Sequence, residues 1–218
     1  MKILPTVTLL AIDGTGNNLD IIKAIHYSKK NIKFGKVKLL SPRENYDNLQ
    51  DIELIKIPQL SYFEWNKFVL TELYKYIDTD HYLFIDSDGF VLHPEAWNDD
   101  FLKYDYIGAS FWYPNHIFTN VVDQKIKEKN INNLNLVGNG GFTLRSKKLL
   151  LITKDCGDDR YNPEDVYICL NNYDFFISKG IIFAPKDLAD KFSLNELHQN
   201  PKIFGFHGHK TYIKGIQC

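Results

Sequence analysis

The stretch HYLFIDSDGFVL, residues 81–92, decides the fold that this sequence predicts. Its first five residues form a mostly apolar run of strand length, and the acidic tripeptide Asp86-Ser87-Asp88 follows directly. Such a run, ended by polar residues and glycine, is typical of a buried strand that leads into a loop. Since ligands bind beyond the carboxyl ends of the strands in parallel α/β sheets, the tripeptide lies where a ligand is expected.

Strand-like and helix-like patterns alternate through the first 92 residues, which is typical of a Rossmann-like α/β sheet. Further strands are predicted over residues 7–12, 36–40 and 52–57, and helices over residues 19–28 and 62–77. Beyond them we expect a strand over residues 104–110, a glycine-bearing turn into a strand over 137–145, a short helix over 164–171 and a final strand or loop over 202–210. The predicted fold class is α/β, with a mixed, mostly parallel central sheet flanked by helices in a single domain.

The composition limits the classes of function that this chain can have. Its 218 residues suffice for one domain, and 26 Lys and Arg against 27 Asp and Glu lack the basic excess of a dedicated nucleic-acid-binding protein. The three cysteines include no CxxC pair, which disfavours a zinc site and a disulfide framework. The apolar N-terminal run is too short to span a membrane. We expect a cytoplasmic protein with no nucleic-acid partner and no membrane span.

The two carboxylates of the tripeptide, Asp86 and Asp88, are two residues apart after a buried strand and can share one divalent cation. The alternative is a turn in which these acids cap the backbone that follows. No GxxxxGK[ST] motif and no GxGxxG after the first strand are present, which disfavours ATP hydrolysis and dinucleotide binding.

A glycine-rich motif, LVGNGGFTLRS, covers residues 136–146. Its three glycines permit a positive φ and a close approach of the backbone to a ligand, although a hairpin or bulge without a ligand has the same pattern. The alternation that follows places Phe142 and Leu144 on one face of a strand, with Thr143 and Arg145 on the other.

Two later motifs, NPEDVYICL over residues 162–170 and FGFHGHK over residues 204–210, contain acids and histidines. Glu164 and Asp165 near a helix start either stabilise that start or supply a general base, which the helix dipole would keep ionised at neutral pH. In the second motif a histidine can bind a metal while Lys210 contacts a phosphate oxygen, and a plain surface turn is the alternative.

In this order the four motifs resemble the GT-A class of nucleotide-sugar glycosyltransferases. VGNGGFTLRS, PEDVYICL and FGFHGHK are similar to small GT-A-like proteins of bacteria and large DNA viruses, including the capsid-glycosylating enzymes of giant algal viruses. The resemblance extends from residue 7 to about 210 and is weakest over residues 115–135. It implies a GT-A-like fold, a UDP-sugar donor, a glycan or glycoprotein acceptor, and a divalent cation, Mn²⁺ or Mg²⁺. Glycan biosynthesis would then take place in a bacterial cytoplasm or that of a virus-infected host.

The resemblance also implies roles for single residues. Asp88 matches the direct metal ligand, Asp86 a contact to the ribose or to a metal-bound water, and His207 the histidine that closes the metal site, with His209 as the alternative. Asp165 matches the base of inverting members. Donor binding is assigned to Ala11, Ile12, Asp13, Tyr62, Asn66, Lys67, Asp86, Ser87 and Lys210. Acceptor binding is assigned to Gly140, Gly141 and Glu164, and to Trp112 and Tyr113, whose aromatic rings can stack on sugars. Residues 1–92 then form the donor-binding half, and residues 93–218 the acceptor-binding and catalytic half.

Two other functions fit part of the pattern. FIDSDG resembles the DxDG motif of haloacid-dehalogenase-type phosphatases, which would use Asp86 and Asp88, but that motif normally follows the first strand and has Thr or Val where Phe90 stands here. The second is a non-catalytic sugar- or nucleotide-binding module, against which the intact acids and His207 argue.

Overall fold

A computed structural model describes residues 1–110, 137–156, 163–194 and 203–208 of the chain. Its main sheet has six strands: β1 (Lys2–Ile12), β2 (Ile32–Ser41), β3 (Glu53–Lys56), β4 (His81–Ile85), β6 (Tyr106–Ser110) and β7 (Val137–Ser146). Their order across the sheet is β3-β2-β1-β4-β7-β6, in which the first four are parallel and β7 is antiparallel to both of its neighbours. A smaller sheet is formed by β5 (Gly89–Val91), β9 (Gly205–His207) and β8 (Ser193–Leu194), with β9 in the middle. The mixed, mostly parallel sheet predicted from the sequence is confirmed.

Helices cover both faces of the main sheet. They are α1 (Asp20–Lys29), α2 (Tyr62–Thr71), α3 (Lys147–Thr153), α4 (Glu164–Val166), α5 (Tyr173–Ser178) and α6 (Lys186–Phe192). Leu9 of β1 packs in one core with α1, and Leu10 packs in another with α2 and α3. Because successive strand residues point to opposite faces, a strand buried on both sides is apolar at nearly every position, which explains why Thr8 is the one polar residue from 7 to 12. No helix in the described ranges has the length and apolarity required to cross a membrane.

Several predicted elements differ in extent from the structure, among them β2, which begins at Ile32 rather than residue 36. β1 begins at Lys2 rather than residue 7, and its register shifts between Leu4 and Thr8, where a Cβ on Gly35 of β2 would lie 2.1 Å from the Pro5 oxygen. The strand therefore passes through a proline by means of an irregularity opposite a glycine. The helix predicted over residues 62–77 starts with the capping box of Ser61 and ends at Thr71, after which a 3₁₀ turn follows.

Candidate functional site

Two carboxylates and one imidazole converge at the carboxyl end of β4. The chain turns immediately after this strand, where the Asp86 amide donates to Gly141 O (3.0 Å) and the Gly89 amide donates to Asp86 O (3.1 Å). Antiparallel pairing of β5 with β9 then sets Gly89 opposite His207. As a result, ligand atoms of Asp86, Asp88 and His207 all lie within 4.8 Å of one another. We call these three residues the metal group.

The electrostatics of the metal group suit a cation. Burial raises the pKa of Asp86 to about 6, and the negative charge of Asp88 acts in the same direction. Burial alone would lower the pKa of His207, but the Asp88 carboxylate, with Oδ1 3.4 Å from Nε2, raises it above its ordinary value. Negative charge is therefore concentrated where oxygen and nitrogen ligands meet, which is the donor chemistry of a divalent transition-metal site.

The glycine motif contributes space rather than a special backbone conformation. The glycines with positive φ among the described residues are Gly16, Gly180 and Gly208, and none of these belongs to the motif. The predicted turn is therefore wrong, since residues 137–146 form a strand, but the alternative of a bulge fits, because the pairing of β7 with β6 is irregular between Asn139 and Leu144. A Cβ on Gly141 would lie 2.1 Å from the His207 ring, so glycine is required here because the imidazole occupies that volume.

Replacing Gly141 with Ala is expected to displace His207, because the added Cβ would lie 2.1 Å from the imidazole and the Gly141 carbonyl is held by the Asp86 amide at 3.0 Å. We expect the free energy of unfolding to fall by about 1–3 kcal/mol, as in overpacked cores. Mn²⁺ affinity, measured by calorimetry, should fall to the level of His207→Ala. The double variant Gly141→Ala/His207→Ala should regain the lost stability, since the clash is then gone; a double variant as unstable as Gly141→Ala would contradict this explanation.

A second pair of acids lies against the adjacent residue of β7. Gly140 N donates to Asp165 Oδ2 (2.9 Å), and the Val166 amide donates to Asp165 Oδ1 (2.7 Å). A Cβ on Gly140 would lie 2.9 Å from Glu164 Oε1 and 3.2 Å from Asp165 Oδ2. The two consecutive glycines thus let the metal group and the acid turn, Glu164-Asp165, approach the same stretch of strand.

The charge state of Asp165 differs from the sequence argument. A helix start was expected to keep this carboxylate ionised, but α4 has only three residues. Burial, followed by the neighbouring Glu164 carboxylate, raises the pKa of Asp165 to about 7. A carboxylate with a pKa near neutrality is well matched to general-base catalysis. Glu164 itself is buried and accepts a hydrogen bond from Arg145 at 2.7 Å.

Comparison with known sequences gives one family. A family described as "Protein of unknown function (DUF5672)" matches residues 51–207. The chain belongs to this family. The DUF5672 match extends from the start of β3 to His207 and so contains both the metal group and the acid turn. No curated protein sequence matches the chain.

Three solved structures that are similar to this DUF5672 protein are glycosyltransferases. The galactosyltransferase LgtC, solved in complex with donor and acceptor sugar analogues, has 14% identity and a TM-score of 0.48, over 94% of this chain and 87% of that one. An active-site mutant of LgtC has 12% identity and a TM-score of 0.46, over 93% of this chain and 86% of that one. The mannosyltransferase Ktr4p of S. cerevisiae, solved in complex with GDP, has 12% identity and a TM-score of 0.45, over 76% of this chain and 66% of that one. At TM-scores below 0.5 these similarities support no functional conclusion.

Of the predicted donor residues in the first strand, Ala11 and Ile12 are buried at the end of β1. Asp13 is 3% exposed, and its two carboxylate oxygens accept hydrogen bonds from five donors. Four of these donors lie in the loop of residues 15–18, and the fifth is the hydroxyl of Tyr46 at 2.7 Å. Asp13 therefore shapes the loop that follows β1 instead of presenting its own oxygens to a ligand.

Replacing Asp13 with Asn should destabilise the protein by about 2–3 kcal/mol at pH 7, because charge-assisted hydrogen bonds are lost and an amide group faces N–H donors. Burial would raise the pKa of Asp13, but the hydrogen bonds from Tyr46 and the loop lower it below its ordinary value of 3.8. Its stabilisation is then present above pH 3.8 and is lost as the pH falls through the folded-state pKa. Denaturant unfolding of the wild type and Asp13→Asn at pH 7 and near pH 3 measures this loss. If the free energies of unfolding of the two proteins differ by the same amount at both pH values, the explanation is contradicted.

The remaining predicted residues lie in several places. On α2, Tyr62 and Lys67 are exposed, whereas Asn66 has no exposed surface. Ser87 lies half-buried between the two acids of the metal group. The predictions on Trp112, Tyr113, His209 and Lys210, and on residues 115–135, fall outside the described residues.

Two residues beside the acid turn have a role that the sequence did not indicate: Arg145 was given no role in the site, and Asn66 was predicted to bind the donor. Arg145 is 1% exposed and pairs with Glu164, and Asn66 accepts a hydrogen bond from the Glu164 amide at 2.8 Å. The signal for Arg145 was present, since the alternation of β7 puts a charged residue where an apolar one would normally be buried. The signal for Asn66 was that it is a polar residue on an otherwise apolar face of α2.

Proposed function

We propose that this protein is a metal-dependent glycosyltransferase that moves a sugar from a nucleotide-diphosphate donor to an acceptor hydroxyl with inversion. The observation that supports this most is the convergence of the metal group and the acid turn on consecutive residues of one strand, Gly141 and Gly140. The first group suits a cation that binds a diphosphate, and the second suits a base that acts on a hydroxyl.

The residues of the metal group fit a divalent cation. Two carboxylates provide the oxygen ligands that both Mg²⁺ and Mn²⁺ accept, and the His207 imidazole makes Mn²⁺ the better match. The space that Gly141 leaves for the ring is a second structural sign that His207 is held for a purpose. When bound, the cation would stabilise the negative charge that develops on the departing nucleotide diphosphate.

Asp165 is assigned as the base. Its carboxylate takes the proton of the acceptor hydroxyl, whose oxygen forms a bond to the anomeric carbon as the bond from that carbon to the diphosphate breaks. The electron pair of the broken bond leaves with the diphosphate. The hydrogen bonds from the Gly140 and Val166 amides fix the carboxylate in place during this transfer.

The finer features of the sequence-based hypothesis belong to this proposal. They are a UDP-sugar donor, a glycan or glycoprotein acceptor, a cytoplasmic site of action, and a role like that of the capsid-glycosylating enzymes of giant viruses. The division into a donor half, residues 1–92, and an acceptor half, residues 93–218, also stays a prediction. So does direct ligand contact by Trp112, Tyr113 and Lys210.

A panel of nucleotide-sugars tests the proposed function. The full chain is incubated with each donor, Mn²⁺ or Mg²⁺, and a set of simple sugar acceptors, and release of nucleotide diphosphate is measured. Release that requires both the metal and Asp88 supports the proposal. Phosphate release from a phosphomonoester would support a haloacid-dehalogenase-type phosphatase instead, and saturable binding of a donor without release under any acceptor condition would support a binding module.

A further inference from the structure

A buried ion pair joins the acid turn to β7. Arg145 and Glu164 are 1% and 4% exposed, and the guanidinium Nη2 is 2.7 Å from Glu164 Oε1. Burial of two charges is unfavourable unless the remaining donors and acceptors are also satisfied. This buried ion pair is therefore favourable only if neighbouring groups bind the remaining donors and acceptors of both side chains in a fixed arrangement.

That geometry is provided for Arg145 by strands β6 and β7. Its Nε donates to Thr143 Oγ1 at 2.9 Å, and its guanidinium lies 4.9 Å from the centre of the Tyr106 ring. The Tyr106 hydroxyl in turn donates to Gly138 O at 2.7 Å. The arginine is thus held from several sides before it meets Glu164.

Glu164 is held at a second point by α2. The Asn66 side-chain oxygen accepts from the Glu164 amide at 2.8 Å, and its amide nitrogen donates to Tyr62 O at 2.8 Å. Because Asn66 has no exposed surface and uses both ends of its amide, the direct donor contact predicted from the sequence is replaced by a contact to the acid turn.

We propose that Arg145 and Asn66 are positioning residues that hold Glu164 by its side chain and its backbone, so that Asp165 is kept in register against Gly140. Glu164 is then a fixed negative charge behind the base rather than an acceptor ligand. This inference rests on the proposed function, since it assigns Asp165 as the group that acts on the substrate.

The surroundings of Asp165 make the inference measurable. The titratable and charged groups that interact with it are Glu164 on α4, Arg145 on β7, Tyr62 on α2, Tyr106 on β6, His207 on β9 and Cys169 in the π-helix that follows α4, Tyr167–Asn171. After burial, the Glu164 charge contributes most to raising the pKa of Asp165, and Arg145 acts in the opposite direction more weakly. Removing both charges should therefore lower this pKa.

The first test is Asn66→Ala, which removes the backbone anchor and leaves every charge in place. We expect kcat to fall roughly 10–100-fold through misplacement of the base, with the Mn²⁺ and donor dissociation constants unchanged. Lys148→Met is the control: Lys148 lies on α3, where its Nζ is 3.2 Å from Asp105 Oδ2, and losing this ion pair should leave kcat unchanged. Equal losses of metal binding and turnover in Asn66→Ala would show a general structural defect and overturn the inference.

The second test does not depend on turnover. Removing one partner of the ion pair alone leaves a buried charge, so the double variant Arg145→Met/Glu164→Gln is used to remove both charges together. ¹³C NMR of aspartate-labelled protein, with Asp165→Asn for assignment, should give a titration midpoint near pH 7 in the wild type and a lower one in the double variant. An unchanged midpoint would overturn the role of Glu164. If the midpoint shifts but no nucleotide-sugar is consumed, the proposed function fails and the positioning network stands.

Discussion

Asp165→Asn is expected to lower turnover by roughly 10²–10⁴, the usual loss when a general base is removed. Asparagine keeps the shape of the side chain and can still accept from the Gly140 amide, but it cannot take a proton. Donor affinity should stay within about twofold of the wild type, because the base acts on the acceptor. In the wild type, kcat/KM should rise with pH through about 7, since the carboxylate must be ionised to act and its pKa is raised to about 7. Steady-state kinetics with a released-nucleotide assay measures both effects.

The matched control for this variant is Asp187→Asn, an exposed carboxylate on α6 that should leave the rate unaltered. Stereochemistry provides an independent check. NMR of the product formed from a donor of known anomeric configuration should show inversion. A product with retained configuration, or an Asp165→Asn enzyme of near-normal rate, would remove Asp165 from the mechanism and leave the metal group in place.

Asp88→Ala is expected to abolish metal-dependent binding of the nucleotide donor. Loss even of a residue that only hydrogen-bonds a metal ligand lowers metal affinity about 10–100-fold, so loss of a direct ligand should exceed that range. The remaining pair, Asp86 and His207, offers two ligand atoms in place of three. Calorimetric titration with Mn²⁺, and with the donor in the presence and absence of Mn²⁺, measures the effect, and circular dichroism verifies that the fold is intact.

Asp47→Ala, which removes an exposed carboxylate in the loop between β2 and β3, is the control for Asp88→Ala and should bind Mn²⁺ as the wild type does. His207→Ala should weaken Mn²⁺ binding less than Asp88→Ala, because a carboxylate pair and the donor phosphates would still hold the ion. Donor affinity that is the same with and without Mn²⁺ in both the wild type and Asp88→Ala would refute the metal assignment. A larger effect of His209→Ala would shift the histidine ligand to that position.

Much of the fold can be predicted from local patterns. β4 has the predicted bounds, 81–85, because a short apolar run between polar residues can form few secondary structures other than a buried strand. The helix at residues 62–77 was predicted too long, since its apolar periodicity continues past the point where the hydrogen bonds change to a 3₁₀ turn. The extension of β1 to Lys2 could not be predicted, because a proline within a run argues against a strand unless the facing residue is known to be Gly35.

The candidate site, like the fold, was predicted from the sequence only in part. The resemblance to GT-A glycosyltransferases implied one metal site for the acids of the DSD tripeptide and His207, and the structure brings their ligand atoms within 4.8 Å of one another. The glycines were recognised as important but for a different reason, since only the structure shows that His207 fills the space above Gly141. Contacts such as Asn66 to Glu164 span 98 residues, and no local pattern encodes a hydrogen bond at that separation.

The adjacency of Gly140 and Gly141 has a thermodynamic consequence. The peptide unit that joins Gly140 to Gly141 lies against both the acid turn and the histidine of the metal group. A displacement of that unit therefore moves both groups at once. Binding events at the two groups should then be linked, with equal effects in each direction. An acceptor that tightens the contact of Asp165 with the strand should raise the affinity for Mn²⁺, and Mn²⁺ should raise the affinity for the acceptor by the same factor.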